Sequence, residues 1–302
     1  MSNLLTLNQV VKEYNTFKAV DQVSFSVPES CIVGLLGPNG AGKTSLIRII
    51  TGITQADSGK VLLHGEDIYK IKNPSIGYMP EERGLYKKMK VGEQLIFLTR
   101  LRGLSKTDAE RNVVFWMKKF QIESWWNKRV DELSKGMSQK VQFIATVSHN
   151  PKLIILDEPF SGLDPINTNL IKEEIIRLKN EGASILFSTH RMEQVEEMCE
   201  YIVLINKGKI VLNGEVNEVR NEFKEHLFEV KTENEVPDEI HERFELISKS
   251  NKHYLIKVKD NQSTNEVLTW LIDHEVRIAS FSELLPTFSE IFIKTVNETN
   301  HE

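Results

Sequence analysis

The octapeptide Gly37-Pro38-Asn39-Gly40-Ala41-Gly42-Lys43-Thr44 constrains this chain more than any other stretch. It has the spacing G-x-x-x-x-G-K-[ST], a glycine-rich turn closed by a basic and a hydroxyl residue. Residues 31–36 before it are a short continuous apolar run, the mark of a strand buried on both faces. Residues 44–51 after it carry apolar side chains at helical spacing. A strand feeding a helix through such a turn aims successive backbone N–H groups at one spot, and the helix adds the positive end of its dipole. That chemistry suits a nucleoside triphosphate. Gly37, Asn39, Gly40, Ala41, Gly42 and Ser45 line the cradle, Lys43 places a point charge at the β/γ-phosphates, and the Thr44 hydroxyl can ligate Mg2+.

A metal and a hydrolytic water also need carboxylates. The apolar run 153–156 ends in Asp157 and Glu158. Asp157, at the end of a buried strand, is placed to hold Mg2+ through water, because that ion keeps several of its waters. Glu158 is the natural general base. An acidic pair after a strand also reads as a helix N-terminal charge pair; beside a phosphate loop the catalytic reading gains weight.

Around these motifs the chain alternates strand and helix patterns. Strands are expected at 20–27, 31–36, 76–79, 153–156 and 184–188, helices at 166–180 and 192–199, and a hairpin around Lys207-Gly208. From about 91 to 150 the pattern is helical, with Leu95, Leu98 and Leu101 on one face and Val113, Met117 and Phe120 on another. Beyond about 223 the texture changes. Strands at 228–231, 244–248, 254–258 and 277–281, with helices at 267–274 and 285–294, give the order of a split βαβ unit.

Composition excludes several classes. The formal net charge is −5, and from His226 onward 15 Asp+Glu face 8 Lys+Arg, so a nucleic-acid partner is not favoured. The only cysteines, Cys31 and Cys199, make no metal spacing or disulfide framework, which fits a reducing compartment. Residues 1–14 lack the basic-then-apolar order of a signal peptide. No apolar run approaches the roughly 20 residues of a membrane span, so the chain is not expected to cross a membrane by itself.

Three further motifs fall into one pattern. Leu133-Ser134-Lys135-Gly136-Met137 precedes the acidic strand, Ser161-Gly162-Leu163-Asp164 follows it, and Ser188-Thr189-His190 closes a later strand. In this order and spacing the chain resembles the nucleotide-binding subunits of ABC transporters over roughly residues 4–220. The resemblance implies an α/β P-loop NTPase fold over 1–222: a RecA-like core, an antiparallel β subdomain and a helical subdomain at about 91–150. A small acidic α+β accessory domain would occupy 223–302. ATP and Mg2+ are the implied cofactors. Tyr14 matches the aromatic that stacks on adenine, and such a stack is worth about 1–3 kcal/mol. Ser134 and Gly136 match the positions that touch the γ-phosphate held by a second ATPase subunit, identical or not. Asp164 matches the loop that communicates across that dimer. His190 matches the residue that contacts the γ-phosphate and the attacking water. The implied partner is a polytopic membrane permease, which would hold the chain at the cytoplasmic face of the membrane. A soluble ABC-type ATPase of translation or DNA repair is the alternative; the acidic tail and short helical insertion argue against it.

The chain also departs from the family pattern. Glutamine usually follows the strand at 76–79; here Pro80 is followed by Glu81, then Glu82 and Arg83. Glu81 is expected to keep the metal and water role, its extra negative charge offset by a metal or by Arg83. Lys135 and Met137 replace the commoner glycine and glutamine. With these departures the chain resembles the ATPase subunits of ABC-2-type exporters, including the sodium-efflux type, many of which carry a C-terminal extension. Trp116, Trp125 and Trp126 read first as core, and otherwise as a groove for the permease bordered by residues 84–88.

Overall fold

Two long strands open the chain, β1 (Asn3–Tyr14) and β2 (Phe17–Pro28), paired antiparallel with Leu7 opposite Phe25 and Val10 opposite Val23. They belong to a computed structural model that describes residues 2–81, 84–259 and 263–301. Glu82 and Arg83 therefore lie outside the described residues. Strand β3 (Ile32–Leu36) is buried along its whole length and leads through the glycine-rich turn into α1 (Lys43–Ile50). Strands β4 (Ser58–Leu63) and β5 (Glu66–Asp67) join the first two in a sheet of order β2-β1-β4-β5. Then come β6 (Ile76–Met79) and the helices α2 (Val91–Leu101), α3 (Lys106–Lys119) and α4 (Lys135–Val147). Strand β7 (Leu153–Asp157), α5 (Pro165–Asn180), β8 (Ser184–Ser188), α6 (Met192–Met198), β9 (Tyr201–Asn206) and β10 (Lys209–Glu215) complete this part.

The central sheet has the order β10-β9-β3-β8-β7-β6. Strands β9, β3, β8, β7 and β6 are parallel and only β10 is antiparallel. Parallel strands need both faces covered, and β3, β7 and β8 are accordingly buried at every position. Helix α1 buries Leu46, Ile47, Ile49 and Ile50 in the cluster shared by the two sheets. Each such side chain contributes about 1.5–3 kcal/mol, which outweighs the marginal stability of so short a helix. Among α2–α4, Val113, Met117 and Phe120 are buried as their spacing predicts. The other face differs from expectation. Leu95 is buried, but Leu101 is 62% exposed, because the buried stripe of α2 runs through Val91, Leu95 and Thr99 and leaves Leu101 to one side.

Two compact units emerge, Met1–Val216 with Thr295–Glu302, and Asn217–Lys294. Helix α7 (Val216–Glu222) precedes the second unit's β11 (Leu227–Thr232), α8 (Ile240–Arg243), β12 (Glu245–Ser250), β13 (His253–Lys257), α9 (Thr264–Asp273) and β14 (Ile278–Leu284). Helix α10 (Phe288–His301) follows. The strands pair antiparallel in the order β12-β13-β11-β14, the split βαβ arrangement that the sequence pattern predicts. Phe228, Val230, Tyr254 and Ile256 alternate inward against Val267, Trp270 and Leu271 of α9. Ser263 and Glu266 close a capping box at the start of α9.

Candidate active site

The parallel order of β3, β8, β7 and β6 brings four strand-to-loop exits to one edge, the carboxyl ends where α/β sheets bind ligands. Those exits carry the phosphate loop, Thr189-His190, Asp157-Glu158 and Pro80-Glu81.

The phosphate loop is shaped by residues that must lack a side chain. Gly37 and Gly42 adopt φ 151° and 110°, and a Cβ on them would fall 2.2 Å from Ile205 O and 2.1 Å from Ala19 O. The loop is pinned from outside, since Gly208 N–H donates to Ala41 O at 2.9 Å. Ala41 is buried, Asn39 and Gly40 are exposed, and Thr44 and Ser45 open α1, whose first-turn amides have no intrahelical acceptor. Lys43 Nζ donates to Gly37 O at 2.7 Å and Pro38 O at 3.1 Å, so the ammonium sits inside the curl of its own loop. Burial lowers its pKa, and Asp157, Glu158 and Glu81 oppose that shift.

Facing it is a concentration of negative charge. Asp157 is 5% exposed and its pKa is raised, first by burial and then by Glu81 and Glu158; the Ser188 hydroxyl and Lys43 pull the other way. The donors here, a threonine hydroxyl and carboxylates, are hard oxygens suited to Mg2+. The crowding of acidic groups against one lysine is a charge balance that a divalent cation offsets. Among the described residues no three His, Cys, Asp or Glu side chains converge as a self-sufficient metal cluster. Thr44, Asp157 and Glu81 would hold the ion together with phosphate oxygens and water.

Glu158 adopts φ 50°, and its N–H donates to Ser188 O at 3.0 Å. Its Oε1 accepts from His190 N–H at 2.9 Å and lies 2.7 Å from His190 Nδ1. The Thr189 hydroxyl bonds Gln194 and receives Arg191 N–H, which fixes the turn that presents the exposed His190.

Among the described residues no bond joins the remaining predicted residues to this constellation. Tyr14 ends β1 at 43% exposure with Lys12 Nζ 5.6 Å from its ring centroid. Ser134 caps α4, its Oγ accepting from Met137 N–H at 3.3 Å, and is exposed; Gly136 sits in the first turn of the helix. Asp164 caps α5 through Asn167 N–H at 2.9 Å. Sequence reasoning missed Gln139 and Gln142 on α4. Gln139 Nε2 donates to Pro159 O at 2.8 Å and Gln142 Nε2 to Pro80 O at 2.7 Å, so one helix touches both acidic loops. Side-chain-to-backbone bonds across such separations leave no local signal.

Beside Pro80 opens a groove of about 540 Å3, lined by Ile53, Tyr78, Leu85, Leu98, Leu101 and His149 among others. Tyr86 and Phe97 stack edge-to-face at 6.2 Å and are 55% and 41% exposed. The tryptophans do not line it. Trp116, 2% exposed, packs against Phe120 and Phe143 in the core, and Trp126 covers Gly92.

Comparison with known proteins agrees with this layout. Residues 20–161 match the family model for ABC transporters, and residues 214–296 the model for the C-terminal domain of DrrA1-3-like ATP-binding proteins. An uncharacterized ABC transporter ATP-binding protein of Bacillus subtilis, YhaQ, is 50% identical over 73% of this chain and 74% of its own length. The lipopolysaccharide export system ATP-binding protein LptB of Haemophilus influenzae is 33% identical over 73% of this chain and 94% of its own. A solved ATP-binding subunit of an ABC transporter superposes with a TM-score of 0.69 at 30% identity, covering 73% of this chain and 93% of that one.

Proposed function

The chain belongs to the ATP-binding proteins of ABC transporters, which are ATPases coupled to transport, and from that premise we propose that it is the motor subunit of an exporter. It acts in pairs on a separate polytopic permease at the cytoplasmic face of the membrane. The observation that carries the reading is a division of labour. The cradle, Asp157, Glu158 and His190 share one sheet edge, whereas Ser134 stands exposed and Gly136 half-buried at the start of α4, with no bond to that edge among the described residues. A site split in this way is completed by a second subunit.

In the complete site the loop amides and Lys43 hold the phosphates. Thr44, Asp157 and Glu81 would hold Mg2+, which when bound would neutralise charge at the phosphate oxygens. Glu158 accepts the proton of the attacking water, and His190 orients that water against the γ-phosphate. Ser134 and Gly136 of the facing subunit close the phosphate from the other side with the helix dipole behind them. Tyr14 stacks on adenine, and Asp164 meets the opposing subunit. The groove beside Pro80 receives the permease, with Leu101, Tyr86 and Phe97 as apolar anchors in place of the tryptophans. Residues 223–302 form an accessory domain. Export is supported by the relative named for an export system and by the match of the tail domain. Among the described residues no helix is long and apolar enough to cross a membrane, which fits a chain that relies on a partner for transport.

The deciding experiment is size-exclusion chromatography of Glu158→Gln with MgATP. A stable dimer that dissociates on ATP removal supports the split site; a chain that binds MgATP and stays monomeric refutes it.

A further inference from the structure

The helix that offers Ser134 outward also holds the loop that carries Glu158. Gln139 of α4 is 4% exposed, and its Nε2 donates to Glu158 O at 3.3 Å and Pro159 O at 2.8 Å. Four residues earlier, on the same helix face, Lys135 lays its stem across the far end of that loop. A Cβ on Gly162 would fall 2.5 Å from Lys135 Cδ and Cε, and Gly162 has φ 77°. Glu158 adopts φ 50°, a region that non-glycine residues enter only when the surroundings impose it. Its peptide is gripped on one side by Ser188 O of β8 and on the other by Gln139 of α4.

We propose that Gln139 and Lys135 are positioning residues for Glu158, setting its carboxylate from α4, one helix turn away from Ser134. The inference rests on Glu158 being the general base. Neither side chain touches the reacting atoms; each acts on the backbone of the loop between Glu158 and Gly162. Gln139 fixes the start of the loop by donation to two carbonyls, and Lys135 fixes its end by filling the space that Gly162 leaves.

The test is a double-mutant cycle on the full chain, read by single-turnover hydrolysis of MgATP. Gln139→Met keeps the shape and removes the donor; Lys135→Ala removes the stem at an exposed position. Each is expected to lower the turnover rate, Gln139→Met by about 10–100-fold, the scale of a misplaced catalytic group, with MgATP affinity and melting temperature near wild type. In the Glu158→Gln background neither is expected to lower the residual rate further, because a group that acts through Glu158 has nothing left to position. Losses that multiply with that of Glu158→Gln, or a rate unchanged in both single variants, overturn the proposal while leaving Glu158 as the base. A Glu158→Gln rate within threefold of wild type overturns the base assignment and the proposal with it. If Gln139→Met does not fold, the cycle with Lys135→Ala decides alone.

Discussion

Glu158 Oε1 accepts the His190 backbone N–H at 2.9 Å and faces His190 Nδ1 at 2.7 Å. The ends of neighbouring strands β7 and β8 are thereby joined through one carboxylate oxygen. With Glu158 as acceptor the ring proton sits on Nδ1, and Nε2 is left to face a ligand. Removing the carboxylate removes the base and the orienter of the imidazole together. Glu158→Gln is expected to lower kcat by about 10²–10⁴, with MgATP affinity within a few-fold in equilibrium binding. Comparable turnover in the variant would remove the base assignment.

The glycines of the phosphate loop separate strain from collision. Gly42 has φ 110° and a Cβ there would lie 2.1 Å from Ala19 O, whereas Gly40, at φ 79°, has open space around it. Gly42→Ala must displace backbone that anchors the loop; Gly40→Ala meets only the left-handed penalty of about 1–2 kcal/mol. Calorimetric titration with ATP is expected to show binding lost in Gly42→Ala and weakened by no more than about thirtyfold in Gly40→Ala. Equal effects would mean that shape at Ala19 is irrelevant to the cradle.

Glu81 contributes to the charge that burdens the site. It opposes the downward shift of Lys43 and adds to the upward shift of Asp157. Glu81→Gln is expected to leave hydrolysis within a few-fold at saturating Mg2+ while raising the Mg2+ concentration needed for half-maximal rate. Glu81→Ala should lower the rate as well. An unchanged Mg2+ dependence and rate in Glu81→Ala would leave Glu81 as a plain loop charge.

The parts that were legible in the sequence are those whose residues are contiguous. The phosphate loop, the run ending in Asp157 and Glu158, and the second unit's strand order all follow from local spacing. Strand β1 escaped because its alternation is broken. Register shifts flank Leu7 and Val10, and Gln9 sits at φ 49° with its N–H on Ser24 Oγ. Leu95, Leu98 and Leu101 were read as one face, but the buried stripe of α2 is Val91, Leu95 and Thr99, because a threonine fills a stripe position that apolar periodicity does not count. The tryptophans were read first as core, as Trp116 is, enclosed by Phe120 and Phe143; the groove was the alternative, offered on residue type alone. The grip of α4 on Glu158 depends on which side of the sheet the helix packs, and no spacing encodes that.

His149 ties stability to acid. Burial pushes its pKa from 6.5 down to about 4; Nε2 donates to Ile76 O at 3.1 Å, which opposes the shift, and Arg102 adds to it. Between those values the unfolded chain binds a proton that the folded chain refuses. The stabilising share is thus full above pH 6.5 and is lost as pH falls toward 4. At pH 5 the loss amounts to about 2 kcal/mol. His149→Gln removes the titration, so the drop in urea midpoint between pH 7.5 and pH 5 is expected to be smaller in the variant than in wild type. Parallel drops would place the acid sensitivity elsewhere.

The groove beside Pro80 predicts a variant that spares the motor and loses its load. Leu101 is 62% exposed, so Leu101→Asp should change stability by no more than about 0.5 kcal/mol. It lies away from the phosphate loop, so basal ATPase of the isolated chain should stay within twofold. A carboxylate placed among Ile53, Leu85 and Leu98 would oppose burial of any apolar segment in the groove. Expressed in its native cell with a tag, Leu101→Asp is expected to leave the membrane fraction, while wild type remains there. Phe115→Asp supplies the comparison: Phe115 is also exposed, at 52%, but belongs to α3 and does not line this groove. If both variants are released, general surface charge is responsible; if Leu101→Asp stays bound, the permease docks elsewhere.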